Sequence, residues 1–430
     1  MSAEHLQIGL LGFGTVGRGV YRILTGNGES VKQKIGAGVT IKKILVRNMD
    51  KDRGIDVGPA KFTTRVEDII DDPEISIVVE VMGGTEPTLD YVSRALQNGK
   101  SVVTANKDMI AAHGKQLFEL SEANNADLLF EASVAGGIPI IRPLKQCLAA
   151  NRISQVIGII NGTTNYMLTK MTEEGSDFDD VLREAQAKGY AEADPTADIE
   201  GYDAARKLAI LASIAFNSRI GLDDVYVEGI TRITAADIAY AKELNYTIKL
   251  LGIAKETADG IEARVHPTLI PHHHPLAAVN DVYNAIFVTG DAVGDTMFYG
   301  QGAGELPTAS AVTADIMDAA RDLLRSVPGI ISCTCYEEKP VKDMGATLCK
   351  YYIRLNVADR PGVLASIAYA FGDKEVSLAS VLQKQTDTKN AEIVLVTHLV
   401  REQNMQEALE IIKHLSSVNE VSNIIRVEGE

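Results

Sequence analysis

Cysteine is scarce in this chain and poorly spaced for metal or disulfide chemistry. Four occur in 430 residues, Cys147, Cys333, Cys335 and Cys349. Cys333-Thr334-Cys335 lacks both the CxxC spacing and a second pair, so the four read as buried or incidental thiols. Long apolar runs are missing as well. No uninterrupted stretch approaches the ~20 residues that span a bilayer, and the first residues lack a basic segment leading into a signal-like apolar run. The expected setting is cytoplasmic, with no membrane partner. Positive charge is in deficit: 42 Lys and Arg stand against 58 Asp and Glu, a formal net charge of −16. No basic stripe interrupts that surface, which excludes nucleic acid as the expected partner. At 46% hydrophobic and 23% charged residues, without low complexity, the composition is that of a globular protein. Its length exceeds what one core serves, so two or three domains are expected.

The first concentrated signal is Gly12-Phe13-Gly14-Thr15-Val16-Gly17. An apolar run, Ile8 to Leu11, precedes it, and a helix-like segment, Arg18 to Leu24, follows. In a strand-turn-helix unit one glycine permits the turn, the second lets the backbone approach a pyrophosphate, and the third lets helix pack closely on strand. The second strand, Ile41 to Val46, runs into Arg47-Asn48-Met49-Asp50-Lys51. Arg47 and Lys51 suit a 2′-phosphate and favour NADP, while Asp50 leaves room for NAD; a solvated turn is the plain alternative. A nearly continuous apolar strand, Ile75 to Val81, fits a parallel sheet covered on both faces. Strand Ser101 to Thr104 then delivers Lys107 to the carboxyl end of that sheet, where ligands of such folds sit.

After Glu131 the pattern changes to mixed α and β. The expected fold class is α/β: a Rossmann-like nucleotide-binding domain over 1–131, to which the helix 308–326 returns, then an α+β substrate and dimerisation domain over 132–307 and a βαββαβ unit over 350–430. Strand 153–160 is expected to end in Asn161-Gly162-Thr163-Thr164-Asn165, the polar tract Met171 to Ser176 to lead to a helix from Phe178 to Lys188, and Ile140 to Ala150 looks helical. His272-His273-His274 has no fixed helical spacing and reads as a polar loop rather than a metal site.

The densest chemistry lies between Lys188 and Lys207. Pro195 disfavours helix at Asp194, so the first acidic part is a loop. Asp203 and Lys207 are four apart and share a helix face, with the acid on the N-terminal side. Spacing alone reads as a stabilising ion pair. Beside other carboxylates in a nucleotide-binding chain, the same pair has the composition needed to pass a proton while hydride moves.

These motifs together resemble homoserine dehydrogenase in its monofunctional form with a C-terminal ACT domain. The resemblance covers essentially the whole chain: GFGTVG at 12–17, Thr104 to Lys107, Glu131 to Pro139, Asn161 to Asn165, Glu192 to Lys207, Pro267 to Pro271, and Gly302 to Gly304 with Pro307-Thr308. It implies interconversion of L-aspartate 4-semialdehyde and L-homoserine with NADP or NAD, NADP preferred. On that resemblance Lys207 exchanges the proton at the substrate oxygen, with Asp203 in the same arrangement, and Lys107 lies between nicotinamide and substrate. Glu192 and Asp198 bind the amino acid, Gly189 lies near cofactor and substrate, and Gly304 closes over the cofactor. Ala197 stands where some members carry a second aspartate. A sodium or potassium ion is implied at Glu131 with the carbonyls of Val134, Gly136 and Ile138.

The last unit resembles an ACT domain, with Asp359-Arg360-Pro361-Gly362 as its first turn. Asp359 and the amides around Gly362 are the implied site for L-threonine as regulator, although Lys374-Glu375 departs from the glycine often placed before the second strand. A homodimer or homotetramer is expected. The alternative reading is a catalytically inactive, amino-acid-sensing binding protein.

Overall fold

The computed structural model describes residues 5–58, 61–385 and 389–429. The chain folds into two compact units, the first comprising Met1–Val156, Ala209–Asp223 and Asn284–Glu338, the second Ile157–Leu208, Asp224–Tyr283 and Lys339–Glu430. Among the described residues no helix is long and apolar enough to cross a membrane.

The first unit is built on β1 (His5–Leu11), β2 (Gly38–Leu45), β3 (Phe62–Thr63), β4 (Ile75–Glu80), β5 (Ser101–Thr104) and β6 (Leu128–Leu129), in the spatial order β3-β2-β1-β4-β5-β6. Every adjacent pair is parallel. Such a sheet needs cover on both faces, and the apolar runs supply it: Ile8, Leu10 and Leu11 of β1 and Ile77, Val78 and Val79 of β4 are fully buried. Chain order reverses between β1 and β4, which opens a crevice beyond their carboxyl ends. Helix Glu305–Arg325 inserts Ala309, Val312, Ile316 and Ala319 into the core that holds Leu10, Val20 and Val79. Small residues make that approach possible. A Cβ on Gly19 would sit 2.5 Å from the Glu305 carbonyl oxygen and 2.7 Å from Ala309 Cβ.

In the second unit the strands Tyr246–Thr257 and Gly260–Pro271 form a long antiparallel pair. The sheet continues through Val418–Val427, Leu348–Ala358 and Asn390–Thr397 to Leu378–Gln385. A short parallel register, Thr268 to Arg426 and Leu269 to Val427, joins the βαββαβ strands to the 260–271 strand. Buried ion groups line this seam. Arg426 bonds Glu402 at 2.9 Å and Glu228 at 2.8 Å, and Arg264 bonds Glu262 at 2.5 Å and Glu428 at 3.0 Å. Arg354 bonds Asp237 at 2.8 Å and Glu392 at 2.9 Å. Asp237 is wholly buried and also accepts from Asn423 at 2.7 Å, while it closes a capping box with Thr234 at the start of helix Ala235–Glu243.

Two local features go beyond what periodicity marks. Gly162–Glu174, assigned no element from sequence, is a helix. Its buried residues mix Thr163, Thr164, Asn165 and Thr169 with Tyr166, Met167, Leu168 and Met171, which blurs the apolar period; the polar ones are satisfied, Thr163 by the Tyr190 carbonyl, Thr164 by Asn161, Asn165 by the Val279 carbonyl and Thr169 by the Asn165 carbonyl. The Ile140 to Ala150 segment holds a π-helical turn over Pro143–Cys147, consistent with a proline interrupting regular bonding. In the histidine run, His272 pairs with Thr247 at 2.8 Å and His274 caps the turn Pro275–Ala278.

Truncating Arg354 to methionine leaves Asp237 and Glu392 without their cation in a dry seam, which should cost ~3–5 kcal/mol. Denaturant unfolding of the full chain measures it; a loss below ~1 kcal/mol, the value of an exposed pair, would mean that the seam is held by its strands alone.

Candidate active site

The nucleotide loop follows directly from β1. Gly12 adopts φ +101, a left-handed backbone, and a Cβ there would lie 3.0 Å from the Val81 carbonyl oxygen. A Cβ on Gly17 would stand 2.5 Å from the Gly12 oxygen, whereas Gly14 faces open space. Two glycines thus hold the turn closed and the middle one leaves its mouth clear. Helix Thr15–Gly26 has no side-chain cap on its first amides, so its N-terminus is available to an anion. Thr15 is exposed on that first turn and Val16 packs against the core. Phe13 turns inward, edge-on to Tyr21 at 5.9 Å and Phe62 at 5.6 Å, so it offers the groove only its main chain.

The groove has about 1260 Å³ of open space and is lined by Gly12, Gly14, Arg47, Lys51, Arg53 and Tyr91, among others. Arg47 and Lys51 are exposed at its edge. Arg53 was not anticipated: it donates to the Lys51 carbonyl at 2.6 Å and to that of Asn48, with its guanidinium 4.9 Å over the Phe62 ring. It sits in irregular chain, where no spacing rule applies.

Beyond β4 and β5 the chain ends are tied by a second unanticipated group, Glu80. This buried carboxylate accepts from the Met82 amide at 2.7 Å, the Gly83 amide at 3.0 Å and the Thr104 hydroxyl at 2.5 Å. Burial pushes its carboxyl up and these donors pull it back. Thr104 accepts the Asn106 amide at 3.0 Å, and Asn106 caps helix Lys107–Ala123 while it donates to the Gly84 carbonyl at 2.7 Å. Lys107, half-buried, is therefore the first residue of a firmly anchored helix. A carboxylate closing an apolar strand was the available signal for Glu80.

Glu131 is buried and receives the amides of Ile140, Ile141 and Arg142 at 2.6, 2.8 and 2.8 Å. The turn between them places Ala135 and Gly136 at φ +56 and +51. Val134, Gly136 and Ile138 are buried, and among the described residues no hydrogen bond to their carbonyls is found. Gly304, at φ +128, opens helix Glu305–Arg325 in the same unit.

The second unit assembles the acid–lysine cluster. On helix Tyr202–Ala215, Lys207 Nζ lies 2.6 Å from Asp203 Oδ2 and 2.8 Å from the Ile160 carbonyl oxygen. Both side chains are largely buried, at 13% and 11% exposure, which sets the pair apart from the exposed ion pair that spacing alone suggests. Asn161 completes the cluster. Its Nδ2 donates to Asp203 at 2.9 Å and to Asp198 at 2.7 Å, while its Oδ1 accepts the Thr164 amide at 2.9 Å and caps helix Gly162–Glu174. Asp198 comes from the short helix Thr196–Ile199. Gly189, at φ +74, and Glu192 lie on the exposed chain that precedes it. Among the described residues no hydrogen bond joins the Glu192 carboxylate to Asn161, Asp203 or Lys207. In the βαββαβ part, Asp359 and Gly362 form an exposed turn, with Gly362 at φ +88 capping helix Val363–Asp373. Glu375 takes φ +59 at the position where a glycine is usual.

A nucleotide-binding sheet in one unit and a buried lysine–carboxylate cluster in the other define an NAD(P)-dependent oxidoreductase. Three family models match: homoserine dehydrogenase NAD-binding domain at residues 12–131, homoserine dehydrogenase at 139–317 and ACT domain at 351–416. The homoserine dehydrogenase of Bacillus subtilis is 45% identical over 428 residues, 99% of each chain. That of Corynebacterium glutamicum is 46% identical over 430 residues, 98% of this chain and 96% of its own. The crystal structure of a homoserine dehydrogenase from Thiobacillus denitrificans superposes with a TM-score of 0.95 at 45% identity, covering 99% of both chains. This chain belongs to the homoserine dehydrogenase family and carries a C-terminal ACT domain.

Replacing Asn161 by alanine strips a donor from each of two carboxylates and removes a helix cap. Folding stability should fall by ~1–3 kcal/mol and turnover should fall with it, while Asn161→Ser, which keeps a cap oxygen, should recover part of the stability. Thermal melts and initial rates equal to those of the unaltered enzyme would contradict the assignment of Asn161 as the linker.

Proposed function

We propose that this chain interconverts L-aspartate 4-semialdehyde and L-homoserine with NADP preferred over NAD, and that Lys207 carries the proton. The observation that supports this most directly is the largely buried Lys207, held 2.6 Å from Asp203. When bound, the dinucleotide supplies or accepts the hydride. Lys207 gives its proton to the alkoxide forming at the aldehyde oxygen and takes one from the alcohol in the reverse direction. Asp203 and the Ile160 carbonyl hold the ammonium in place, and Asn161 holds Asp203. Asp198 and Glu192 suit a substrate ammonium, and Lys107 its carboxylate or its reacting end. The intact pair gives the inactive-sensor alternative nothing in its favour.

The cations at Arg47, Lys51 and Arg53 around the groove suit a 2′-phosphate, and on the family resemblance Gly189 and Gly304 are further cofactor-binding candidates. A hard monovalent cation fits Glu131 with the carbonyls of Val134, Gly136 and Ile138, since buried carbonyls without amide donors favour such an ion. Asp359 and the open helix start at Gly362 suit an amino acid's ammonium and carboxylate, with L-threonine as the proposed regulator. The assembly is proposed as a homodimer or homotetramer in the cytoplasm.

Lys207→Ala should lower kcat by about 10²- to 10⁴-fold with the coenzyme Kd almost unchanged. A variant that keeps more than half of the original kcat at saturating substrate would remove Lys207 from the proton step.

Arg47→Ala should raise the Kd for NADPH more than that for NADH, because a guanidinium holds a phosphate through paired hydrogen bonds. Fluorescence titration with both coenzymes decides it: equal losses would reduce Arg47 to a solvated turn residue.

A further inference from the structure

Cys333 and Cys335, read from sequence as incidental, sit together in a cavity of the first unit. About 430 Å³ of space is bounded there by Phe118, Phe130, Lys145, Arg219, Cys333 and Cys335, with the helix face of Ala209, Ile210 and Ser213. Arg219 donates to Cys333 Sγ at 3.3 Å. Lys145 stacks its ammonium over Phe118 at 5.2 Å and Phe130 at 5.5 Å, on the same cavity wall. Cys335 Sγ donates to the Ser213 carbonyl oxygen at 3.8 Å, and the two cysteines, separated by one residue, line the same cavity. Both are partly exposed, whereas Cys147 is exposed and Cys349 buried.

Reactive cysteines occupy electropositive, partly accessible surroundings of this kind. We propose that Cys333 is a thiolate modification site and that Cys335 is its resolving partner, the pair closing to a disulfide when a peroxide-class oxidant enters the cavity. The electrostatics agree with the geometry. The pull of neighbouring Cys335 and the charges of Arg219 and Lys145 outweigh burial and hold the Cys333 thiol below its ordinary value. Cys335 is pushed up in return, first by its bond to Cys333 and then by burial.

The steps balance without another reactant. The Cys333 thiolate attacks one peroxide oxygen; an S–O bond forms, the O–O bond breaks, and the departing hydroxide takes up a proton as water. The Cys335 sulfur then attacks the sulfenic sulfur; an S–S bond forms, the S–O bond breaks, and a second water leaves with the Cys335 proton. Two thiols are oxidised by two electrons and one peroxide is reduced to two waters. Lys145 and Arg219 stabilise the attacking thiolate, and Cys335, next but one in the chain, is always at hand to resolve the sulfenic acid.

The test uses the full chain, with Cys147 as internal control. At pH 6 an ordinary thiol is only about 0.3% thiolate, so limited iodoacetamide followed by peptide mass mapping separates thiolate character from mere exposure. Cys333 should be alkylated more than ~10-fold faster than the more exposed Cys147, and Arg219→Gln should narrow that difference. One equivalent of hydrogen peroxide should make the tryptic peptide 326–342, which carries both cysteines and keeps the uncleaved Lys339–Pro340 bond, lighter by two hydrogens. In Cys335→Ser, dimedone should instead capture a sulfenic acid on Cys333. Alkylation of Cys147 as fast as Cys333 at pH 6 would overturn the thiolate assignment. Peroxide that leaves the 326–342 peptide reduced would overturn the resolving pair.

Discussion

A lysine ammonium out of bulk water needs anionic and carbonyl oxygens around it, and that constraint organises the second unit. Lys207 meets it with Asp203 and the Ile160 carbonyl. Asp203, itself buried, needs further donors, and Asn161 provides one while it bonds Asp198 and caps the next helix. One chain of hydrogen bonds therefore fixes the end of strand Ile153–Ile159, the start of helix Gly162–Glu174, the short helix Thr196–Ile199 and the helix carrying Lys207. A network satisfied at every member is rigid, and a positioned proton donor needs that rigidity.

The same logic works at the seam of the ACT strands. Arg354, Arg426 and Arg264 each meet two carboxylates and each ties residues 350–430 to chain outside them: Arg354 to Asp237 of helix Ala235–Glu243, Arg426 to Glu228, and Arg264 of the 260–271 strand to Glu428. Breaking any of these would strand a buried charge, so the ACT strands and the 246–271 pair are held as one sheet. A ligand acting at Asp359 and Gly362 would then bear on a sheet that extends to the strand Tyr246–Thr257, and coupling of that kind requires differential binding to two states.

Much of this was legible from the residues. The glycine spacing at 12, 14 and 17 has a steric meaning that does not depend on the rest of the chain, and the structure gives each glycine a separate job. The apolar runs of β1 and β4 forecast a sheet covered on both faces, and the alternating strands after residue 350 forecast βαββαβ. Asp203 and Lys207 were paired by helix geometry alone. Helix Gly162–Glu174 escaped because polar side chains interleave with apolar ones on its buried surface and find partners both within the helix and far along the chain. Arg53 and Glu80 escaped because their partners are backbone groups brought near by turns, and Asn161 because its two carboxylate partners lie 37 and 42 residues away.

By itself, then, the sequence determined whatever depends on short-range periodicity and stereochemistry: the nucleotide turn, the order of strands and helices, the sharing of a helix face by Asp203 and Lys207. Tertiary structure decided what depends on burial and on distant partners. It made an exposed-looking ion pair into a largely buried one, turned Asn161 into the link between two carboxylates, and gathered Cys333 and Cys335 under Lys145 and Arg219. The physical reason is desolvation. A charge or thiol has the same covalent structure wherever it stands in the chain, but how it behaves is set by which distant groups replace its water.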